Sequence, residues 1–233
     1  MKNNKIAFFD IDGTIFKGNI IEPLLDLQVE DNLLEKSFAD EIHNLHVLLH
    51  KGEITRDVAS KKIVETWAMG LKGKSYQNIF KHTEDFIKNN LQNFYSFTKP
   101  LLKLIKKTHN IILTSNEPQF VCEVILNLFG LTNVASTIFE VKSGVFTGKV
   151  IQFNSTLEDK KNSAKKFINQ YNFKQSFAFG DSITDVGILD VVENSICVNP
   201  SKELQEYAEK KGWIITNSDN VLNLVNKIFS LKY

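Results

Sequence analysis

Arginine is almost missing from this chain. Arg56 is the only one, and every other strongly basic residue is a lysine. Clustered guanidinium groups are therefore excluded, and Arg56 is the sole candidate for bidentate binding of an anion. Cysteine is nearly as scarce. Cys122 and Cys197 lie far apart, each in an apolar run, which excludes a disulfide framework or a zinc-site spacing and suits two buried free thiols. No apolar run approaches the ~18 residues of a membrane-spanning helix. Asp10 and Asp12 interrupt the first hydrophobic stretch, so no signal peptide is expected. The net charge of +1 offers no basic field for nucleic acid or a membrane surface. Internal repeats and low-complexity tracts are also lacking. These absences lead to the expectation of a cytoplasmic protein that engages neither nucleic acid nor membrane; they say nothing of its oligomeric state.

What is present is ordinary globular material. The 233 residues, 42% hydrophobic and 24% charged, suffice for one large domain or a domain with a small insert. The most informative stretch is KIAFFDIDGTI, Lys5 to Ile15. The apolar run Ile6 to Phe9 predicts a strand buried on both faces, as in a parallel sheet. Asp10 and Asp12 follow at i and i+2, a spacing that puts two carboxylates on one face at the end of the strand. Gly13 then lets the backbone turn. Paired carboxylates repel, and a divalent cation with a preference for oxygen ligands, such as Mg²⁺, is the usual compensation. The alternative is a plain strand end with an Asp-Gly turn.

Downstream, residues 17 to about 96 read as helices only. Apolar residues recur with helical period from Asp31 to His50, broken by Gly52, and Thr55 and Ser75 are set to cap two further helices. His43, His46 and His50 share a face of the first of these. A row of imidazoles on one straight helix suits tetrahedral metal coordination poorly, and an ordinary polar face is expected there. From Thr98, a plausible N-cap, strand and helix alternate. Asn110 to Thr114 is a second buried strand leading to Ser115 and Asn116, with Pro118 opening a helix that ends at Gly130. A strand that delivers a hydroxyl to a helix N-terminus is a phosphate-binding geometry; Ser115 is the candidate and Thr114 its alternative. Ser136 to Phe153 predicts a β-hairpin turning at Ser143-Gly144. Thr156 to Tyr171 reads as a helix carrying Lys160 and Lys161. Phe177 to Phe179 is another strand, followed by Gly180 and by Asp181 and Asp185 four apart; a helix starting near Ser182 would aim both carboxylates at the strand end. Strands at Ser195 to Val198 and Trp213 to Thr216 and helices at Ser201 to Lys211 and Asp219 to Leu231 complete the pattern.

FDIDGTIF resembles the first motif, DxDGT, of the haloacid dehalogenase superfamily, and GDSITD resembles the GDSxxD form of its fourth motif in the phosphoserine phosphatase-like branch. The resemblance spans nearly the whole chain and implies an α/β fold, a Rossmann-like three-layer core with a parallel sheet (1–16 and 97–233) and an inserted helical cap (17–96). It implies a nucleophile at Asp10, a general acid/base at Asp12, a second-motif hydroxyl at Ser115 and a third-motif lysine at Lys160 or Lys161. Mg²⁺ would be held by Asp10, the backbone carbonyl of Asp12 and Asp181, with Asp185 bound directly or through water. The implied activity is Mg²⁺-dependent hydrolysis of a small phosphate monoester through an aspartyl-phosphate. Alternatives are phosphoryl transfer to an alcohol and a non-catalytic phospholigand-binding protein. Dehalogenases lack the second acid, so Asp12 favours phosphate chemistry. In this branch a Glu and an Arg from the cap recognise phosphoserine. Glu22 and Arg56 are the pocket candidates here, with Asn116, although Asn19 stands about where that acid would be expected.

Overall fold

Strands form where apolar residues run without interruption, because both faces of the sheet are covered. The computed structural model describes residues 5–168 and 172–232. In β1 (Lys5–Asp10) every residue after Lys5 is buried. Alternate side chains go to opposite sides: Ala7 and Phe9 join the larger apolar cluster, Ile6 and Phe8 the smaller. The other strands are β2 (His109–Pro118), β3 (Asn133–Lys142), β4 (Val145–Gln152), β5 (Asn172–Gly180), β6 (Asn194–Val198) and β7 (Ile214–Thr216). They form one seven-stranded sheet in the order β4-β3-β2-β1-β5-β6-β7. All neighbours are parallel except β3 and β4. The chain leaves β1 toward β2 and β3 and returns on its other side with β5. The C-terminal ends of β1 and β5 therefore flank the point where the strand order reverses, which is where open α/β sheets bind ligands.

Helices cover the sheet on both faces, giving the three-layer core. Four of them, α1 (Ile21–Glu30), α2 (Lys36–His50), α3 (Arg56–Gly70) and α4 (Tyr76–Asn89), are inserted between β1 and α5 (Thr98–Ile105). Thr55 and Ser75 cap α3 and α4 as their sequence positions suggest, accepting hydrogen bonds from the backbones of Val58 and Asn78. The rest are α6 (Gln119–Phe129), α7 (Leu157–Ile168), α8 (Val186–Leu189), α9 (Lys202–Lys211) and α10 (Val221–Lys232). Among the described residues no helix is long and apolar enough to cross a membrane.

Two devices stand out among the contacts that bind the insert to the core. Trp67 of α3, fully buried, packs edge-on against Phe120 of α6 and Phe139 of β3. Its indole N–H donates to Gln28 at 2.9 Å, so burial leaves no polar orphan on the ring. The β3–β4 ribbon turns at Ser143 and Gly144, both with positive φ (51° and 79°), the conformation a tight hairpin turn favours. Its second strand then exchanges backbone hydrogen bonds with the α3–α4 junction: Gly73 donates to Phe146, Phe146 to Lys74 and Tyr76 to Gly144.

Several element ends differ from the sequence expectation. The helix expected from Asp31 begins at Lys36, because Asn32 adopts a positive φ and Leu33 and Leu34 donate back to Gln28. Thr98 is not an N-cap; its hydroxyl donates to the Ile15 carbonyl at 2.8 Å, tying α5 to the loop after β1. The expected end of the α7 helix at Tyr171 lies outside the described residues. β2 extends to Pro118, which pairs with Thr137, so α6 starts only at Gln119.

Candidate active site

The loop after β1 is folded tightly. Gly13 N–H donates to Phe16, and both Ile15 and Phe16 donate to Ile11. Gly13 has φ +78°, and a Cβ there would lie 2.2 Å from Asp181 Oδ2. Glycine is thus required twice over, for the turn and for the approach of the two acidic loops. Those loops meet at the strand ends: Thr14 Oγ1 donates to Asp181 Oδ1 at 3.1 Å across 167 residues of sequence.

Asp10, 4% exposed, receives Lys160 Nζ on Oδ1 at 2.7 Å, and the same ammonium lies 2.6 Å from Asp185 Oδ1. The lysine is delivered by α7, whose start is fixed by a reciprocal cap. Asp159 N–H donates to Thr156 Oγ1 while Thr156 N–H donates to Asp159 Oδ2. One position further along the helix, Lys161 has turned out of this contact and is only half-buried.

The GDSITD segment does not open a helix at Ser182. It forms a short 3₁₀ turn, Ile183–Asp185, before α8. Asp185 is consequently turned inward and fully buried. Its Oδ2 accepts the backbone N–H groups of Asp181 and Ser182 and the Ser182 hydroxyl, while Lys160 takes Oδ1. Both oxygens are thus already bonded to protein donors, which places Asp185 behind Asp181 as the anchor of its loop.

Asp12 is directed elsewhere than Asp10. Its Oδ1 accepts Ile20 N–H at 2.9 Å and its Oδ2 accepts Ser115 Oγ at 3.4 Å. Because β2 continues past it, Ser115 sits in extended backbone and not at the N-terminus of α6, as the sequence had suggested. The Ser115 hydroxyl accepts instead from Glu117 N–H. Thr114 is withdrawn from the site, its hydroxyl accepting from the buried Asn154 amide at 3.1 Å. That amide also donates to the carbonyls of Ser115 and Ala135, so Asn154 pins the end of β2 to β3.

These residues enclose a cavity of about 220 Å³ whose walls include Asp10, Asp12, Ser115, Lys160 and Asp181. From the insert come Arg56 at the start of α3 and Asn19 ahead of α1; Asn116 lines it as well. Asn116 is held by Ser155 and Thr137 hydroxyls. Glu22 does not reach the cavity. It is taken by His46, 2.7 Å away, and by the Asn19 amide, so Asn19 occupies the place considered for the acid. His43, on the same helix, pairs with Asp26, so these two imidazoles are engaged by separate carboxylates.

Two neighbours of the site carried no signal in the sequence reading. One is Asn154. The other is Glu117, 1% exposed, whose two oxygens have no donor among the described residues. Burial, and then the proximity of Asp12 and Asp10, push its carboxyl well above the usual range. A glutamate between Asn and Pro reads as turn chemistry, and only the extended β2 carries it inward.

Negative charge outweighs positive here. Lys160 is the one buried lysine among the described residues. Burial alone would lower its pKa, yet Asp10 and Asp185 keep it raised and charged. Burial, reinforced by Asp185, pushes Asp10 well above the ordinary carboxylate range. Burial likewise raises Asp181 to about 7 and Asp12 to about 6. One carboxylate oxygen from each of Asp10, Asp181 and Asp185 lies within 4.8 Å of the other two. An all-oxygen donor set with uncompensated charge fits a hard divalent cation.

The sequence matches the haloacid dehalogenase-like hydrolase family over residues 7–190. Among curated proteins, a histidinol-phosphatase of Neisseria meningitidis serogroup C (strain 8013) is 26% identical over 129 residues, 51% of this chain and 58% of that protein. A putative hydrolase of Mycobacterium leprae (strain TN) is 23% identical over 90% of this chain and 71% of its own length. A phosphoserine phosphatase of Mycobacterium tuberculosis (strain ATCC 25618 / H37Rv) is 28% identical over 44% of this chain and 34% of its own. For the two named phosphatases the match thus takes in less than two thirds of the relative. Among solved structures, a Bordetella pertussis Tohama I protein described as of unknown function superposes with a TM-score of 0.79 at 20% identity, covering 93% of this chain and all (100%) of that one. A phosphoserine phosphatase captured as a phospho-aspartyl intermediate analogue gives a TM-score of 0.68 at 18% identity, covering 97% and 99%. At these identities the structures share the fold.

Proposed function

The chain belongs to the haloacid dehalogenase-like hydrolase family, and on that footing we propose that it is a Mg²⁺-dependent phosphatase of small phosphate monoesters. The observation that carries this reading is the convergence of Asp10, Asp12, Ser115, Lys160 and Asp181, from separate segments, on one cavity at the reversal of strand order. Asp10 is the nucleophile. Lys160 occupies its Oδ1, and the other oxygen attacks phosphorus in line, forming an aspartyl-phosphate as the ester oxygen departs. Asp12, with a pKa of about 6, gives that oxygen a proton. It then takes one from the water that cleaves the aspartyl-phosphate, releasing phosphate and restoring Asp10. The Ser115 hydroxyl and the Lys160 ammonium neutralise phosphoryl oxygens, where most of the catalysis of phosphoryl transfer lies. A magnesium ion, which the carboxylates of Asp10 and Asp181 and the Asp12 carbonyl would hold, supplies further charge neutralisation at the phosphoryl group.

Residues 17–96 act as the cap in this reading, excluding water and contributing Arg56 and Asn19 to the part of the cavity that receives the alcohol moiety. The volume suits a small metabolite. With Glu22 bound to His46, recognition of a phosphoserine ammonium by that carboxylate is not built in. The test is hydrolysis of p-nitrophenyl phosphate with Mg²⁺. Asp10→Asn should abolish turnover while leaving the fold intact by circular dichroism; full activity in that variant defeats the nucleophile assignment.

A further inference from the structure

Charge is unevenly spread along this nearly neutral chain. No Asp or Glu occurs between Asp85 and Glu117, a stretch with five lysines, and none between Glu123 and Glu140. The first stretch contains α5 and the second the last turns of α6. Together they line one groove. Two cavities, of about 320 Å³ and about 240 Å³, adjoin there and share Lys99, Leu128 and Phe129. Their floor is apolar. Phe94 and Phe129 pack edge to face with centroids 5.1 Å apart, and Leu91 and Leu128 are left 46% and 40% exposed. Contiguous apolar surface open to water marks a site of interaction. Among the described residues no acid lines either cavity.

The rim is cationic. Lys99, Lys103 and Lys106 stand at i, i+4 and i+7 along α5 and its C-cap, and all three line the groove. Like charges at this spacing repel. On α2 and α4 the chain does the opposite: Lys36 pairs with Asp40, Lys81 with Asp85 and Lys88 with Glu84, each four residues apart. Lys106 donates to the Gly130 carbonyl. Lys99 and Lys103, both exposed, meet no acceptor among the described residues. Their stems can lie on the apolar floor while the ammonium groups wait at its edge. Such a surface suits a ligand with an apolar body and an anionic end. The two cavities together have the size of a small-molecule pocket, which favours a single alkyl chain over a helix about 10 Å across. We propose that the α5–α6 groove binds an aliphatic carboxylate of medium chain length. Its chain lies over Leu91, Phe94, Leu128 and Phe129, and Lys99 and Lys103 hold its carboxylate. The groove shares no lining residue with the catalytic cavity, so this binding is independent of the phosphatase reading.

The test is isothermal titration calorimetry of the whole protein with n-alkyl carboxylates, each kept monomeric. Affinity should rise from hexanoate to decanoate by up to about fourfold per methylene, the effect of burying each one. Decyltrimethylammonium, with the same chain length and the opposite charge, should bind about 10-fold more weakly than decanoate or worse. Two variants alter exposed side chains and should fold as wild type by circular dichroism: the double substitution Lys99→Glu with Lys103→Glu, and Leu128→Glu. Each should weaken decanoate binding about 10-fold or more, the first by reversing the rim charge and the second by placing a carboxylate on the apolar floor. Affinity that ignores chain length would mean that the lysines attract any anion, and it would defeat the site. Equal binding of the cation, or wild-type affinity in either variant, would do the same. If the groove instead joins two copies of the chain, sedimentation will show a dimer that Leu128→Glu dissociates, and decanoate will not bind. If it rests on a membrane, the protein will bind phosphatidylglycerol vesicles and not monomeric decanoate. Either result overturns the assignment.

Discussion

At the scale of single residues, the site is an exercise in unbalanced charge. Burial raises Asp181 to about 7 and Asp12 to about 6, whereas an unfolded chain loses those protons near the ordinary carboxylate value of about 4. Between about 4 and about 7 the metal-free folded chain thus holds more protons than the unfolded one, and its stability falls as pH rises through that window. Added cation should reverse this by taking the place of the protons. The rise in Tm on adding excess Mg²⁺ to EDTA-treated protein should be larger at about pH 7.5 than at about pH 5. A rise independent of pH would disconnect the cation from these acids. The acids themselves were readable in the sequence because two DxD-like and GDxxxD-like spacings are specific. Lys160 could not be separated from Lys161 there, since helix register depends on the Thr156–Asp159 cap and its tertiary setting. Glu117 left no sequence trace at all: its burial is a product of where β2 stops, which pairing with β3 decides.

Among the elements, the legible ones were those with a physical signature of their own. Uninterrupted apolar runs became the central strands, Ser143-Gly144 became the ribbon turn, and Thr55 and Ser75 became caps. The illegible ends were set by partners distant in sequence. Thr98 is occupied with Ile15, and Ser182 begins a 3₁₀ turn because Asp185 folds back onto its backbone. That turn leads into α8, which crosses α7 closely at Gly187. A Cβ at this position would lie 2.3 Å from the Leu157 carbonyl oxygen and 2.8 Å from Lys161 N. Gly187→Ala should therefore push α7 away from α8 and with it the lysine from Asp10. The expected cost is about 1–3 kcal/mol by urea denaturation, accompanied by a loss of kcat larger than any change in KM. A variant with native stability and kcat would show that the two helices separate without consequence.

For the whole molecule, the insert and the core share a single apolar interior. The larger cluster runs from Phe9 and Phe179 in the sheet through Phe120 and Phe139 to Trp67, Ile63 and Leu45 in the insert. Unfolding should accordingly be one transition, with fluorescence and far-ultraviolet circular dichroism coinciding. Trp67→Ala should lower stability by about 3–5 kcal/mol, shifting that one transition and creating no second one; a separate early transition would mean the insert folds on its own. The sequence placed three of the four inserted helices, missing α1 and the attachment of the layer, because the α3–α4 junction meets the ribbon through backbone groups that carry no residue signature. That attachment has a mechanical consequence. Asn19 and Arg56, which the insert lends to the cavity, are carried on the same helical layer that the ribbon and the Trp67 contacts hold to the core, so the shape of the mouth is set by the joints that keep the molecule folded.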